Sequence, residues 1–301
     1  MFHVKHDPMK VRNECPVCGS KAFKNFDQIP DYFLTKEVFT IDQCEICGFL
    51  FTNPYPPKET IGKYYQSDLY LSHPKSAFSF LAIIYNLVKK INIHSKYKSA
   101  SSKLAPGRVL DIGCGSGDFL YYCKEKGWEI EGIEPHEEAR VFVSKMVKKE
   151  IYNPDRIIEF PDNHFELITM WHVLEHVDDL DFQLQQVSRV LKKNGRLILA
   201  LPNYQSYDCL YYKRYWAGWD VPRHLYHFER NTIQRLSKRF GLISEEIIPM
   251  RWDSFYVSLL SEKYANHSFS FFRAMLSGFK SNRKAKVSGE YSSLLYVFKL
   301  K

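Results

Sequence analysis

Three clusters in this chain have residue types and spacings suited to chemistry. The run Val109-Leu-Asp111-Ile-Gly113-Cys114-Gly115-Ser-Gly117-Asp118 sets three glycines where a short apolar segment gives way to an amphipathic one. Such glycines let a ligand approach the backbone closely, and Glu134 follows at about 20 residues, the spacing at which a carboxylate reaches the two hydroxyls of a ribose. Asp111 narrows the choice of adenosine cofactor. A carboxylate there repels a pyrophosphate, whereas the sulfonium and ammonium of S-adenosylmethionine tolerate or favour it, directly or through water.

The second cluster is Cys15-Pro-Val-Cys18-Gly19 with Cys44-Glu-Ile-Cys47-Gly48. Each two-residue gap lets both thiolates of a pair face one ion, and the following glycine permits the tight turn beneath them. Four sulfurs close a tetrahedral zinc shell, so the expected metal is structural zinc. A redox pair is the alternative, and it lacks the βαβ setting such pairs have. Cys114, Cys123 and Cys209 read as packed thiols.

The third cluster is His172-Val-Leu-Glu175-His176. It matches H-x-x-E-H, an inverted zinc-protease signature that would set both histidines on one helical face. Its place directly after a parallel strand favours another use: Trp171 near a cofactor, His172 toward an acceptor, Glu175 and His176 holding the turn. Downstream, residues 204–228 hold Trp216, Trp219, Asp220, Arg223, His224, Tyr226 and His227, an aromatic wall or lid with His224 as a second candidate base.

The elements that must carry these residues follow from the patterning. Strands are expected over Val109–Ile112, Trp128–Glu134, Phe165–Met170 and Arg196–Leu201. Helices are expected over Asp118–Lys126, His136–Lys149 and Leu180–Lys193. This alternation predicts an α/β fold, a doubly wound parallel sheet with helices on both faces. Asn231 is expected to cap a helix to Phe240, Ile243–Ile248 and Ser292–Lys299 to close the sheet, and the basic run Lys280–Lys286 to be a solvated loop.

Together these motifs resemble class I S-adenosylmethionine-dependent methyltransferases over roughly residues 106–250. The first motif of that family is similar to Asp111–Gly117, and its second ends in an acid that matches Glu134. Phe160–Ile168 is similar to the stretch leading into the fourth strand, Trp171–Val177 to the segment after it, and Pro222–Phe228 to a Pro/His/Phe pattern before the final helix. The resemblance implies a Rossmann-like sheet and cofactor contacts at Asp111, Gly113, Cys114, Gly115, Glu134, Pro135 and Trp171, with His172 and His224 as candidate bases. It places no acid near the adenine amino group. The cysteine pairs resemble zinc ribbons, and no Asn-Pro-Pro-Tyr amine site occurs, which favours oxygen or carbon acceptors.

Composition agrees. At 301 residues with 45% hydrophobic, 16% aromatic and 25% charged residues, the chain has the material for a large core. No apolar stretch reaches the roughly 20 residues of a membrane span, and Met1–Pro8 lacks a leader's apolar region, so a cytoplasmic location is expected. Net charge is +5 over residues 1–105, −5 over 106–200 and +8 over 201–301. The expected organisation is a zinc-ribbon-like module at 1–60, a helical connector at 61–105 and a methyltransferase domain at 106–301, acting on a small-molecule acceptor. RNA methylation, with the basic ends gripping phosphate, and a non-catalytic scaffold are the alternatives.

Overall fold

The computed structural model describes residues 9–65, 80–268 and 270–301. The reading of residues 1–8, and residues 66–79 of the connector, lie outside the described residues.

Strands β1 (Phe23–Pro30), β2 (Val38–Cys44) and β3 (Leu50–Thr52) form an antiparallel meander, followed by helix α1 (Phe80–Ser101). The α/β body then runs β4 (Arg108–Ile112), α2 (Asp118–Glu125), β5 (Glu129–Ile133), α3 (Glu137–Val147), β6 (Phe165–Trp171), α4 (Leu180–Val190) and β7 (Leu191–Pro202). It continues through α5 (Tyr207–Tyr212), the two-residue β8 (Tyr226–His227), α6 (Arg230–Lys238), β9 (Leu242–Pro249), α7 (Asp253–Tyr264), α8 (Ser270–Ser288) and β10 (Ser293–Leu300).

The large sheet has the order β5-β4-β6-β7-β10-β9. The first four strands are parallel, as β–α alternation requires, while β10 runs antiparallel to both β7 and β9. Alternation along the strands sends Leu110, Ile168, Leu197 and Leu199 into a core with Leu184 and Val187 of α4 and Ile233 and Leu236 of α6. Val109, Leu167 and Ile198 enter a second core with Leu120 and Cys123 of α2 and Val143 and Val147 of α3. The sheet is therefore packed on both faces.

Strand β8 is the fourth strand of the N-terminal sheet, pairing Leu50 with His227 and Phe51 with Tyr226. A third core joins Ile29, Phe39, Ile41 and Leu50 to Trp216, Trp219 and Val221. The cysteine-bearing module and the aromatic segment 204–228 thus share a sheet and a core.

Three local expectations are corrected. The helix expected to reach Lys193 ends at Val190, because Leu191 already pairs with Phe165 across a bulged register. The cap of α6 is Glu229, not Asn231: its side chain accepts from Asn231 and Thr232 amides, and the Thr232 hydroxyl closes a capping box. The basic run Lys280–Lys286 is helical, within α8. The H-x-x-E-H segment forms a short 3-10 turn over Leu174–His176, not the helix that a zinc-protease signature would need, and so agrees with the use favoured for it above.

Candidate functional site

The glycine loop joins β4 to α2 at the carboxyl edge of the parallel strands, where open α/β sheets take ligands. Its three glycines have left-handed backbones and serve different ends. A Cβ at Gly113 would strike Val173 at 2.5 Å, and one at Gly117 would strike Val143 at 2.4 Å, so both are fixed by packing. A Cβ at Gly115 would meet nothing within 4 Å among the described residues: beside this residue they leave the loop facing open space. The loop amides are already used, with Gly113 and Cys114 donating to the Ile133 carbonyl and Gly115 donating to Glu134 Oε2 at 2.9 Å. What the loop offers a ligand is close approach, not amide donors.

Glu134 is buried, and its other oxygen accepts from the His136 amide at 3.0 Å. An ionised carboxylate has about four acceptor positions, which leaves capacity for ribose hydroxyls. Asp111 is buried and accepts from the Thr169 hydroxyl at 2.6 Å; burial pushes its carboxyl up to about 7, against that hydrogen bond and the nearby Lys96. Cys114 is buried in the second core, where burial raises its thiol far above the usual range. Its side chain is packing, and Pro135 is exposed at the rim.

Trp171 sits edge-on to Phe119 at 5.1 Å with the Lys96 ammonium 4.6 Å over its ring, and its buried Nε1 has no acceptor among the described residues. Open space at Gly115, spare acceptor capacity on Glu134, an orphaned indole donor and acids facing a cation together fit an adenosyl group with a charged amino-acid tail.

His172 follows with φ 56, a strained conformation for a non-glycine residue and one that is concentrated at functional sites. It pairs with Asp253 at 3.1 Å and Glu175 at 3.5 Å. Burial disfavours its charge, but the two carboxylates outweigh burial and push it up to about 9, so it is a cation at neutral pH. His176 is the opposite: burial, with His224 beside it, lowers it to about 4. His176 Nδ1 lies 2.9 Å from the Arg223 carbonyl and 3.0 Å from the Tyr65 hydroxyl, and His224 Nδ1 lies 2.9 Å from the Gly218 carbonyl. Because a carbonyl only accepts, Nδ1 carries the proton in each neutral ring and Nε2 keeps the lone pair. Glu175, fully buried, accepts no hydrogen bond of good geometry at either carboxylate oxygen among the described residues; His172 Nδ1 stands 3.5 Å and His224 Nε2 4.0 Å from its Oε1. Glu175, His176 and His224 hold donor atoms within 4.8 Å of one another, chemistry that serves either proton transfer or a cation.

The structure thus brings both histidines named from the sequence to one carboxylate, Glu175. Sequence reasoning missed Lys96, Asp253 and the ring nitrogen of His176. Their partners are distant in sequence, Asp253 lying 81 positions from His172, so no local spacing announced them.

The four N-terminal cysteines converge as well. Cys15 to Cys47 and Cys18 to Cys44 are each 3.5 Å between sulfurs, and all four sulfurs lie within 4.8 Å of one another. A disulfide would need about 2.05 Å, whereas sulfurs about 2.3 Å from a tetrahedral zinc stand roughly 3.8 Å apart. Gly19 and Gly48, at φ 71 and 75, return their amides to the carbonyls of Cys15 and Cys44, making the turn beneath each pair.

A family model described as a methyltransferase domain matches residues 91–246, which is more than half of the chain. The chain belongs to that family. Among curated relatives, the methyltransferase is 28% identical over 123 residues to a ubiquinone biosynthesis O-methyltransferase of Pelagibacter ubique, covering 39% of this chain and 50% of the relative. It is 32% identical over 131 residues to a ubiquinone/menaquinone biosynthesis C-methyltransferase of Shewanella baltica, covering 38% and 52%. The match therefore spans about half the length of these relatives.

Among solved structures, phosphoethanolamine N-methyltransferase 2 of Haemonchus contortus, in complex with S-adenosyl-L-methionine, overlays 93% of this chain and 69% of its own at TM-score 0.52 and 16% identity. Geranyl diphosphate C-methyltransferase of Streptomyces coelicolor A3(2) overlays 81% and 98% at TM-score 0.52 and 15% identity. At such identities the likeness shows the fold, the Rossmann-like sheet of S-adenosylmethionine-dependent methyltransferases.

Proposed function

We propose that the protein transfers a methyl group from S-adenosylmethionine to an oxygen or carbon of a small-molecule acceptor. The observation that carries the reading is the open space at Gly115 beside the buried carboxylate of Glu134. When bound, the cofactor supplies an electrophilic methyl on a sulfonium. Glu134 holds the ribose, with Gly113, Cys114 and Pro135 shaping the backbone around it. Lys96 gives a countercharge to the cofactor's carboxylate, and Asp111 one to its cationic tail. Trp171 offers its Nε1 proton.

On the acceptor side, His172 is held as a cation by Asp253 and Glu175, and because its two ring nitrogens face those carboxylates it contributes a fixed positive charge beside the acceptor and not a free donor. His224 has its Nδ1 committed to the Gly218 carbonyl and turns Nε2 toward Glu175, so of the two histidines it is the one whose neutral form fits the role of base for an acceptor that must lose a proton. The aromatic segment is fixed around it by the N-terminal module: the Thr52 hydroxyl donates to the His224 carbonyl at 2.8 Å, and Arg223 pairs with Asp31. The curated relatives named for ubiquinone and menaquinone biosynthesis support a small, apolar acceptor.

Incubating the protein with methyl-labelled cofactor and a substrate-depleted extract, then separating RNA, protein, lipid and small molecules, identifies the acceptor. Label in the small-molecule or lipid fraction is expected. Label confined to RNA would transfer the reading to RNA methylation, and no label in any fraction would favour a scaffold.

Cys15, Cys18, Cys44 and Cys47 are proposed to hold one structural zinc. Metal analysis is expected to give one zinc per chain, lost in the Cys44→Ser, Cys47→Ser double variant. Since Thr52 and Asp31 belong to the same sheet and turn, that variant is also expected to loosen the His224 segment, read as faster amide exchange over residues 220–228. Zinc unchanged in that variant but lost on replacing His176 and His224 would place the ion in the acceptor pocket instead.

A further inference from the structure

Helices α7 and α8 are inside out. The face of α8 that packs inward is built of small residues: Ala274, Ser277, Gly278, Ser281 and Ala285 are all buried. Its large apolar residues point away from the protein, with Phe272 at 69%, Leu276 at 64% and Phe279 at 63% exposure. The spacing i, i+4, i+7 sets these three on one face. Helix α7 repeats the arrangement, burying Ser254, Ser258 and Ser261 while Trp252 and Tyr256 are more than half exposed.

The small faces let the two helices pack closely. A Cβ at Gly278 would come within 2.7 Å of the Phe255 ring, and the Ser254 hydroxyl donates to the Gly278 carbonyl at 3.3 Å. Helix α5 extends the same surface with Leu210 and Tyr211 exposed. A water-facing helix normally shows the reverse polarity, and exposed apolar residues gathered on one face mark a surface that is covered in use.

The charge around this face selects the covering. Helix α8 contains five basic residues and no acidic one. The two acids of α7 are engaged elsewhere, Asp253 with His172 and Glu262 with His267 and Arg273. Lys280, Arg283, Lys284 and Lys286 are exposed around the phenylalanines. A second copy of the chain meeting this face would set like charges against like. An anionic bilayer surface satisfies both features, with phenylalanines entering the acyl boundary and lysines meeting headgroups.

The geometry points to α7 and α8 as a peripheral docking face for anionic membrane surface. No helix among the described residues is long and apolar enough to cross a membrane, so the contact is one of lying on the surface. The inference does not rest on the methyl-transfer reading. It has a bearing on it, because α7 begins at Asp253, the residue bonded to His172, so the docking face adjoins the acceptor side.

The test is vesicle flotation of the full chain. Vesicles of phosphatidylcholine alone are compared with vesicles containing one-third phosphatidylglycerol. Anionic vesicles are expected to bind at least about tenfold more protein, with binding reduced by salt. The F272S/L276S/F279S variant changes only exposed positions, and its fold is checked by circular dichroism and by unchanged cofactor affinity; it is expected to lose at least about tenfold of that binding. K280E/R283E/K284E is expected to remove the preference for anionic vesicles. No binding to either vesicle, or binding that survives both variants, overturns the inference. So does a dimer in solution that the F272S/L276S/F279S variant dissolves, which would make the face a contact between copies.

Discussion

Replacing Glu134 with alanine is expected to weaken S-adenosylmethionine binding by about 10²–10⁴-fold, because two charge-assisted hydrogen bonds of about 1.5–3 kcal/mol each are lost with the ribose hydroxyls. The carboxylate also accepts from the amides of Gly115 and His136, so part of the loss reflects a loosened loop. Glu134→Gln separates the two contributions, since it keeps one acceptor oxygen and one donor at the same place but no charge; a loss of roughly tenfold is expected there. Gly115→Val attacks the same site from the other side. Its side chain would enter the open space at a φ of +53, where β-branched residues are strained, and its affinity is expected to fall below that of Glu134→Gln. Calorimetric titration reads all three. Wild-type affinity in both Glu134→Ala and Gly115→Val would remove the cofactor from this loop.

The second large effect is on stability. Arg223 and Asp31 are 3% and 0% exposed and pair at 3.0 Å, joining the 204–228 segment to the N-terminal module. The guanidinium also grips Asp220 through two hydrogen bonds, donates to the Tyr64 carbonyl at 2.8 Å and lies 4.6 Å over the Phe33 ring. Removing one partner of such a pair leaves a buried charge uncompensated, at a cost of about 3–5 kcal/mol. Arg223→Ala is therefore expected to lower the melting temperature by roughly 5–8 °C, and Arg223→Lys, which keeps the charge without the fork, to recover only part of it. Differential scanning calorimetry decides. A melting temperature within about 2 °C of wild type would show that the module and the aromatic segment are held by their shared core alone.

Both sites lie where sequence legibility divides. The glycine loop, Glu134 and the four cysteines were readable because each depends on local order: a strand, a tight turn, a helix, a two-residue gap. The acceptor side was not. His172 is paired with Asp253, and His176 is fixed by Tyr65, 111 positions away, and by the Arg223 carbonyl. Only the folded chain brings these together, so the sequence named His172 and His224 while leaving the partners of each open. The antiparallel direction of β10 was likewise hidden, since an apolar run such as Ser293–Leu300 carries no sign of direction.

Helix α8 was misread for a different physical reason. Its inward face is Ala, Ser and Gly, which give little apolar signal, while its outward phenylalanines and lysines at 271–286 obscure the usual pattern. The expected loop was a helix whose apolar face serves something other than the protein's own core. The N-terminal module was read as separate because Pro54, Pro56 and Pro57 punctuate its end, yet its fourth strand comes from residues 226–227. A strand of two residues is too short to leave a periodic signal.

The open space at Gly115 and the carboxylate of Glu134 are proposed to form the adenosyl site of a methyltransferase whose acceptor meets His172 and His224. A crystal structure with S-adenosylhomocysteine, the product of the cofactor, tests it most directly. Both ribose hydroxyls are expected within hydrogen-bond distance of the Glu134 carboxylate, the sulfur beside Trp171, and a cavity between that sulfur and the Glu175, His176 and His224 cluster. A ligand bound away from the Gly113–Gly117 loop, or a ribose that leaves Glu134 untouched, would contradict it.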